Sequence, residues 1–310
     1  MKVLVTGGAG YIGSVLTKDL LASNYKVTVL DDFTYSQTSL ASFVSNPNLD
    51  LVYGDVRNRD LVQSLVKEND VIIPLAAIVG APACDKDPFR ASSINLEATK
   101  WLFSIIGSNQ QIIMPTTNSA YGSGGVGNYC DEESTLNPLS LYARDKVEVE
   151  EVLMSHPLAT SFRLATVFGI SARMRLDLLV NSFVNRALTD RYLILFEGHF
   201  KRNYVHVSDV SKLFQFAIAN PDKVKGEVFN FGLTEANLSK IELCNEIQKQ
   251  LPNFVFEEAQ VGKDPDQRNY LVSNAKIEAI GMKARVTIAE GISELIKGLP
   301  MFRSNSFTNL

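Results

Sequence analysis

The sequence predicts an α/β fold: a doubly wound parallel sheet followed by a smaller α/β substrate domain. Three observations predict it. Apolar runs alternate with amphipathic stretches through the first half of the 310 residues. A glycine turn joins the first apolar run to a helical stretch, and an acidic residue closes the second run. Strands are expected at 3–6, 26–30, 51–53, 71–75, 111–115 and 161–164, with helices at 14–21, 92–106 and 141–154 between them. Right-handed crossovers bring the carboxyl ends of such strands to one edge, where ligands bind. Beyond Gly169 the rhythm loosens. Strands at 192–195, 203–206 and 227–231 mix with helices at 178–188, 207–219, 240–250 and 288–297. The expected division is a nucleotide-binding domain over 1–168 and a substrate domain over 169–310, with some later segments returning to the main sheet and 303–310 peripheral.

The turn after the first strand reads Gly7-Gly8-Ala9-Gly10-Tyr11-Ile12-Gly13 and sets Gly7, Gly10 and Gly13 on a G-x-x-G-x-x-G frame. A strand–turn–helix of this kind leaves backbone N–H groups, those of Tyr11 and Ile12 among them, free at a helix N-terminus, where they attract a pyrophosphate. The glycines let backbone approach the ligand and let the helix pack close to the strand. Asp31 ends the second strand eighteen residues past Gly13, where a carboxylate can hold both hydroxyls of an adenosine ribose. Its charge, with that of Asp32, would repel a 2′-phosphate, so the cofactor reads as NAD rather than NADP. Gly54-Asp55-Val56 closes the third strand at the same edge, and Leu75-Ala76-Ala77 closes the fourth with small residues where a cofactor needs room.

Composition narrows the function classes. With 30 basic and 34 acidic residues the net charge is −4, and no basic stripe suggests nucleic acid. Met1 leads directly into a core strand, which argues against a signal peptide, and no apolar run is long enough to cross a bilayer. Cys84, Cys130 and Cys244 are scattered, as in a reduced cytoplasmic protein, and with His156, His199 and His206 they show no metal-ligand spacing.

A second constellation carries the chemistry. Tyr142 and Lys146, at i and i+4, share one helix face. A phenol with a pKa of about 10 is a poor base. A neighbouring ammonium, aided by the positive charge of a nicotinamide, would stabilise the phenolate and lower that value. The fifth strand ends in Pro115-Thr116-Thr117-Asn118-Ser119-Ala120-Tyr121-Gly122, and the Thr117 hydroxyl could position a reacting sugar oxygen.

Together these residues resemble the extended short-chain dehydrogenase/reductase family, in its nucleotide-sugar epimerase/dehydratase branch. The resemblance covers essentially the whole chain: Thr6–Gly13, Asp31, Gly54–Val56, Leu75–Ala77, Asn95, Thr116–Gly122, Tyr142 with Lys146, R-L-x-x-V-F-G at 163–169 and R-x-Y-V-H-V-x-D at 202–209. It implies a Rossmann-type sheet and a tightly held NAD, with Tyr142 as base and acid, Lys146 as its activator and Thr117 as the hydroxyl partner. It places Asp55 by the adenine and Arg202 and Arg268 on the substrate diphosphate. Arg173 and Arg175, beside Asn181, are further substrate candidates, as are Asn118 and Ser119.

Departures from the family pattern sharpen the reading. Sugar 4,6-dehydratases of this family carry Asp-Glu directly after the threonine. Here the pair is Asn118-Ser119, which disfavours dehydration by that route. Thr166 stands where the family usually has Asn. The stretches 76–84, 117–122 and 163–181 are most similar to a bacterial subgroup that includes GDP-heptose 4-dehydrogenases of capsule biosynthesis. The resemblance therefore implies oxidation at C-4 of a nucleoside-diphosphate sugar, with 4-epimerisation as the alternative and a non-catalytic NAD sensor as a third. It also implies a homodimer formed through the helices at 92–106 and 141–154.

Overall fold

Strands that are apolar at nearly every position must be covered on both faces, and the chain covers them in a seven-stranded sheet. The computed structural model describes residues 1–123, 129–259 and 268–302, so the expectation for 303–310 lies outside the described residues. The chain begins with β1 (Lys2–Thr6), α1 (Tyr11–Ala22), β2 (Lys26–Asp31), β3 (Leu49–Tyr53), α2 (Arg59–Lys67), β4 (Val71–Pro74), α3 (Ala81–Lys86), α4 (Pro88–Ser92) and α5 (Thr99–Ile105). It continues with β5 (Gln111–Thr117), β6 (Tyr129–Cys130), α6 (Leu141–Leu153), β7 (Ala159–Leu164), β8 (Thr166–Phe168), α7 (Leu179–Thr189), β9 (Tyr192–Leu195), β10 (Lys201–His206) and α8 (Val207–Ala219). It closes with α9 (Pro221–Val224), β11 (Glu227–Phe231), β12 (Asn237–Ser239), α10 (Lys240–Gln250), β13 (Val255–Glu258), β14 (Leu271–Val272), α11 (Ala275–Ala279) and α12 (Ile288–Gly298).

The main sheet runs β11-β7-β5-β4-β1-β2-β3, all parallel. Strand order reverses between β1 and β4, which places a crevice at their carboxyl ends. Alternate residues enter opposite layers. Val3 and Val5 of β1 and Ile73 of β4 pack with α1, α7 and α8, while Leu4 and Ile72 pack with α2, α5 and α6. Two segments from beyond residue 168 build this assembly: β11 forms its outer strand, and Leu213 and Phe214 of α8 share the core with Leu16 and Leu20 of α1. Smaller sheets β8-β10-β12, β9-β13 and β6-β14 complete the described residues.

Local chemistry explains most boundaries. Ser140 opens α6 by accepting the N–H of Ala143 at 3.2 Å. Ser239 and Thr287 form reciprocal capping boxes with Glu242 and Glu290 at the starts of α10 and α12. Pro115 cannot donate to a ladder, and it sits where β5 has already left β4: those strands pair only at Val71–Gln111 and Ile72–Ile112, whereas β5 accompanies β7 to Thr117. The divergence opens the sheet edge beside the end of β5.

The helix expected at 92–106 is present and is not uniform: α4, a π-helical segment at Ser93–Ala98 and α5 follow one another without interruption to Ile105. The apolar pattern that suggested one helix cannot show the extra residue per turn of a π segment. Asn95 lies in that segment and is fully buried.

Phe162 is fully buried at the centre of β7, edge-on to Phe214 and 6.1 Å from the Phe229 ring. The F162A variant is expected to lose about 3–5 kcal/mol of stability through the cavity it leaves, read as a lower urea midpoint with an unchanged slope.

Candidate active site

The turn after β1 is a cradle that only glycine fits. Gly7 adopts φ +70°, and a Cβ there would lie 2.6 Å from the Ala76 nitrogen. A Cβ on Gly13 would lie 2.3 Å from the Gly7 carbonyl oxygen. Gly10 is the N-cap of α1 and has no side chain to satisfy the helix, whose first turn carries no acidic residue. Among the described residues no hydrogen bond takes up the N–H groups of Tyr11 and Ile12. The arrangement fits a pyrophosphate: open donors at the positive end of a helix, with no Cβ in the way.

Asp31 is buried where β2 ends. Its Oδ2 accepts from Ala9 N at 3.0 Å, and its Oδ1 accepts from Phe33 N at 2.9 Å and Gln37 Nε2 at 3.0 Å. Burial pushes the carboxyl upward, and the N–H donors of Phe33 and Ala9 oppose that shift. Oδ2 keeps a lone pair for a ribose hydroxyl. Asp32 instead turns to Thr34, and Asp55 grips Arg57, whose guanidinium holds the Asp55 carboxyl low. Val56 and Ala76 line one cleft with Thr6, Pro74, Ala98 and Thr99. Leu75 N donates to Thr6 O at 2.9 Å, which carries the chain from β4 towards Ala77. Asn95 braces the continuation, with Oδ1 accepting from Ile78 N and Nδ2 donating to Ile78 O, both at 2.9 Å.

Across the crevice, α6 presents Tyr142 half-buried and Lys146 buried. Lys146 and Thr117 line the same small cavity, with Thr116, Ala120 and Glu150. Cys84 of α3 lies close enough to bear on both Tyr142 and Lys146. Burial pushes that thiol up to about 11, so it stays protonated at neutral pH.

The electrostatics differ from expectation in one respect. Without ligands, burial pushes the Tyr142 phenol up to about 12; Cys84 adds to the rise, and Arg175 and Arg268 oppose it. Lys146 is itself pushed down to about 8 by burial.

The substrate candidates divide. Arg175 and Arg268 both bear electrostatically on the Tyr142 phenol, and Arg202 and Arg268 on the buried Tyr204 hydroxyl. Arg268 also donates to Ser119 Oγ, which accepts from Thr117 Oγ1 at 2.9 Å. Arg175 is paired with Asp177. Arg173 goes elsewhere: it stacks 4.4 Å over the Tyr35 ring and bonds Met174 O. Asn181 is an internal brace, accepting from Gly169 N at 3.0 Å and donating to Arg175 O at 2.9 Å and Tyr11 OH at 3.3 Å. Both of its amide hydrogens are used in these bonds, and one of them holds the Arg175 carbonyl. Asn118 is fully buried, and neither of its amide atoms has a partner among the described residues.

Sequence reasoning missed the thiol of Cys84 and the hydroxyl pair Ser14–Ser171, 2.9 Å apart, which ties α1 to the segment after β8. Neither lies on a recognisable spacing. Among the described residues no cluster of His, Cys, Asp and Glu could hold a metal ion, and no helix is long and apolar enough to cross a membrane.

Lys146 gives a stability test. An unfolded lysine keeps its proton to a pH of about 10.4, whereas the folded one releases it near 8. Between those values the unfolded state binds more protons, so stability rises with pH across that window. Below it the penalty of the buried charge is fully present. In the absence of ligands, K146M is therefore expected to be more stable than the parent at pH 7 by on the order of 2 kcal/mol, with the advantage fading from pH 8 upward and essentially gone by a pH of about 10.4. Thermal unfolding across that range checks it, and a less stable variant at pH 7 contradicts the buried-charge account.

Comparison with known proteins agrees with this geometry. Residues 3–232 match the NAD dependent epimerase/dehydratase family. The chain is 29% identical to the low-salt glycan biosynthesis protein Agl12 of Haloferax volcanii, covering 96% of this chain and 97% of that protein. It is 28% identical to a dTDP-glucose 4,6-dehydratase of Streptomyces niveus, over 96% of this chain and 92% of that protein. The structure superposes on the UDP-glucuronic acid 4-epimerase of Bacillus cereus, solved with UDP-glucuronic acid and NAD, with a TM-score of 0.87 and 23% identity over 97% of this chain and 99% of that one. A 4,6-dehydratase among these relatives means that dehydration is not set aside by family membership, contrary to the expectation from Asn118-Ser119. The glycine cradle, Asp31 and the Tyr142–Lys146 face thus belong to an enzyme of the NAD-dependent epimerase/dehydratase family, with NAD as its cofactor.

Proposed function

We propose that the protein oxidises C-4 of a nucleoside-diphosphate sugar as a 4-dehydrogenase, with a GDP-heptose-like substrate. The observation that carries this reading is the cavity that Lys146 and Thr117 line together at the carboxyl edge, with Tyr142 one helical turn from Lys146 and Arg175 and Arg268 bearing on its phenol. NAD, cradled by Gly7, Gly10 and Gly13 and anchored through Asp31, supplies the hydride acceptor. Tyr142 takes the proton of the C-4 hydroxyl. Thr117 Oγ1 orients that hydroxyl, and Lys146 adds positive charge behind the phenolate. Arg202 and Arg268 supply guanidinium forks suited to a diphosphate.

The fate of the oxidised sugar rests on Asn118 and Ser119. Neither an amide nor a hydroxyl can exchange protons as a carboxyl pair would, and the Ser119 hydroxyl is already engaged by Thr117 and Arg268. This supports release of a 4-keto sugar, with NADH reoxidised by a second substrate such as a 2-oxo acid. The similarity of residues 76–84, 117–122 and 163–181 to heptose 4-dehydrogenases supports the sugar. The 4-epimerase alternative uses the same first step and is supported by the superposition on a 4-epimerase. The homodimer belongs to the same proposal. Phe89 on α4, 86% exposed, and Val152 on α6, 37% exposed, support pairing through those helices.

The test is to incubate the purified protein with GDP-, UDP-, dTDP- and CDP-sugars, following products by NMR and NADH by absorbance, with and without a 2-oxo acid. A ketone with accumulating NADH is expected; a same-mass stereoisomer establishes the epimerase, and loss of water contradicts the reading of Asn118 and Ser119. Y142F is expected to lower turnover by about 10²–10⁴-fold while NAD binding, measured calorimetrically, stays unchanged. Undiminished turnover would remove Tyr142 from the chemistry.

A further inference from the structure

On α6, Glu150 lies one turn beyond Lys146 and two beyond Tyr142, on the same face. It is buried, at 5% exposure. Four donated hydrogen bonds converge on its carboxylate. Thr116 Oγ1 and Ser161 Oγ donate to Oε2 at 2.8 and 2.6 Å, and Arg163 donates to Oε1 through Nε at 3.0 Å and Nη2 at 2.6 Å. Arg163 is itself buried, and its Nη1 donates to Tyr121 OH and Glu132 O, both at 3.1 Å. The Tyr121 hydroxyl sits 2.7 Å from Asn230 Oδ1 on β11. One carboxylate thus joins α6 to β5 and β7 and, through Arg163 and Tyr121, to β11.

A buried ion pair is weak evidence for stability, because desolvating both charges offsets most of their attraction, and well-packed apolar residues often serve as well. What this pair supplies is geometry. Thr116, which Glu150 holds, immediately precedes Thr117, and the helix it holds carries Tyr142 and Lys146. Glu150 and Lys146 also line one cavity with Thr116 and Thr117. We infer that Glu150 is a positioning residue for the hydride-transfer step: its carboxylate fixes the distance between the helix bearing Tyr142 and Lys146 and the strand end bearing Thr117. This rests on the assignment of the protein as a sugar oxidoreductase, and it extends that assignment to a group that touches neither sugar nor cofactor.

The test uses the NAD-loaded protein with E150Q and the double variant E150M/R163M, which replaces the pair by apolar side chains and keeps the fold accessible if E150Q does not fold. A misplacement of about 1 Å at a reacting group costs on the order of a hundredfold in rate. Both variants are therefore expected to lose on the order of a hundredfold in kcat, with KM for the nucleotide-sugar within about twofold. The titration of Tyr142, monitored by tyrosinate absorbance after subtraction of Y142F, is expected to shift relative to the parent. A purely structural pair predicts the opposite: the folded double variant recovers both kcat and the parental titration, and that result overturns the inference. If the parent turns over no nucleotide-sugar, the oxidoreductase reading fails separately. Glu150 is then judged on the titration alone, and a curve identical to the parent's overturns it.

Discussion

Backbone packed directly against backbone at the exit of β1 is the constraint on which the rest of the site depends. Three segments meet there: the turn at Gly7, the start of α1 at Gly13 and the end of β4 at Ala76. A single Cβ on Gly7 or Gly13 would intrude to within 2.6 or 2.3 Å of main-chain atoms. Because the side chains are absent, α1 can point its N–H groups at the switch point between β1 and β4, and Leu75–Ala77 can pass within reach of the same ligand. Asp31 then closes the third side, its carboxylate held by the Ala9 N–H of the turn itself. Cradle and ribose anchor are one continuous hydrogen-bonded unit.

The residues whose chemistry derives from backbone conformation were legible in the sequence. The glycine frame, the acid at the end of β2 and the strands of the main sheet all come from periodicity and from what only glycine can do, and the observed strand ends differ from expectation by no more than two residues. The π segment at Ser93–Ala98 was not legible, because it keeps the apolar pattern of an ordinary helix. Nor was the separation of Arg173 from Arg175. Two residues apart in sequence, they point to different partners, one over Tyr35 and the other to Asp177, and nothing in their spacing distinguishes them. The role of Asn181 was hidden for a similar reason: its amide is satisfied by backbone groups of Gly169 and Arg175 that are remote from it in helical register.

The electrostatics of the catalytic face show what spacing alone omits. A Tyr and a Lys at i and i+4 suggest mutual activation, yet desolvation dominates both groups here, raising the phenol and lowering the ammonium. In water-excluded surroundings each charged form waits on a partner. Asn118 belongs to the same picture, a buried amide with neither atom satisfied among the described residues.

The Tyr11 hydroxyl donates to Gly169 O at 2.7 Å, and the Ser171 hydroxyl returns a bond to Tyr11 O, also at 2.7 Å. The first residue of the cofactor helix is therefore stitched to the loop that leads to Arg175. Any exchange of that loop between relatives, whether by recombination or by an engineer seeking a new sugar, transplants the moorings of the dinucleotide helix as well.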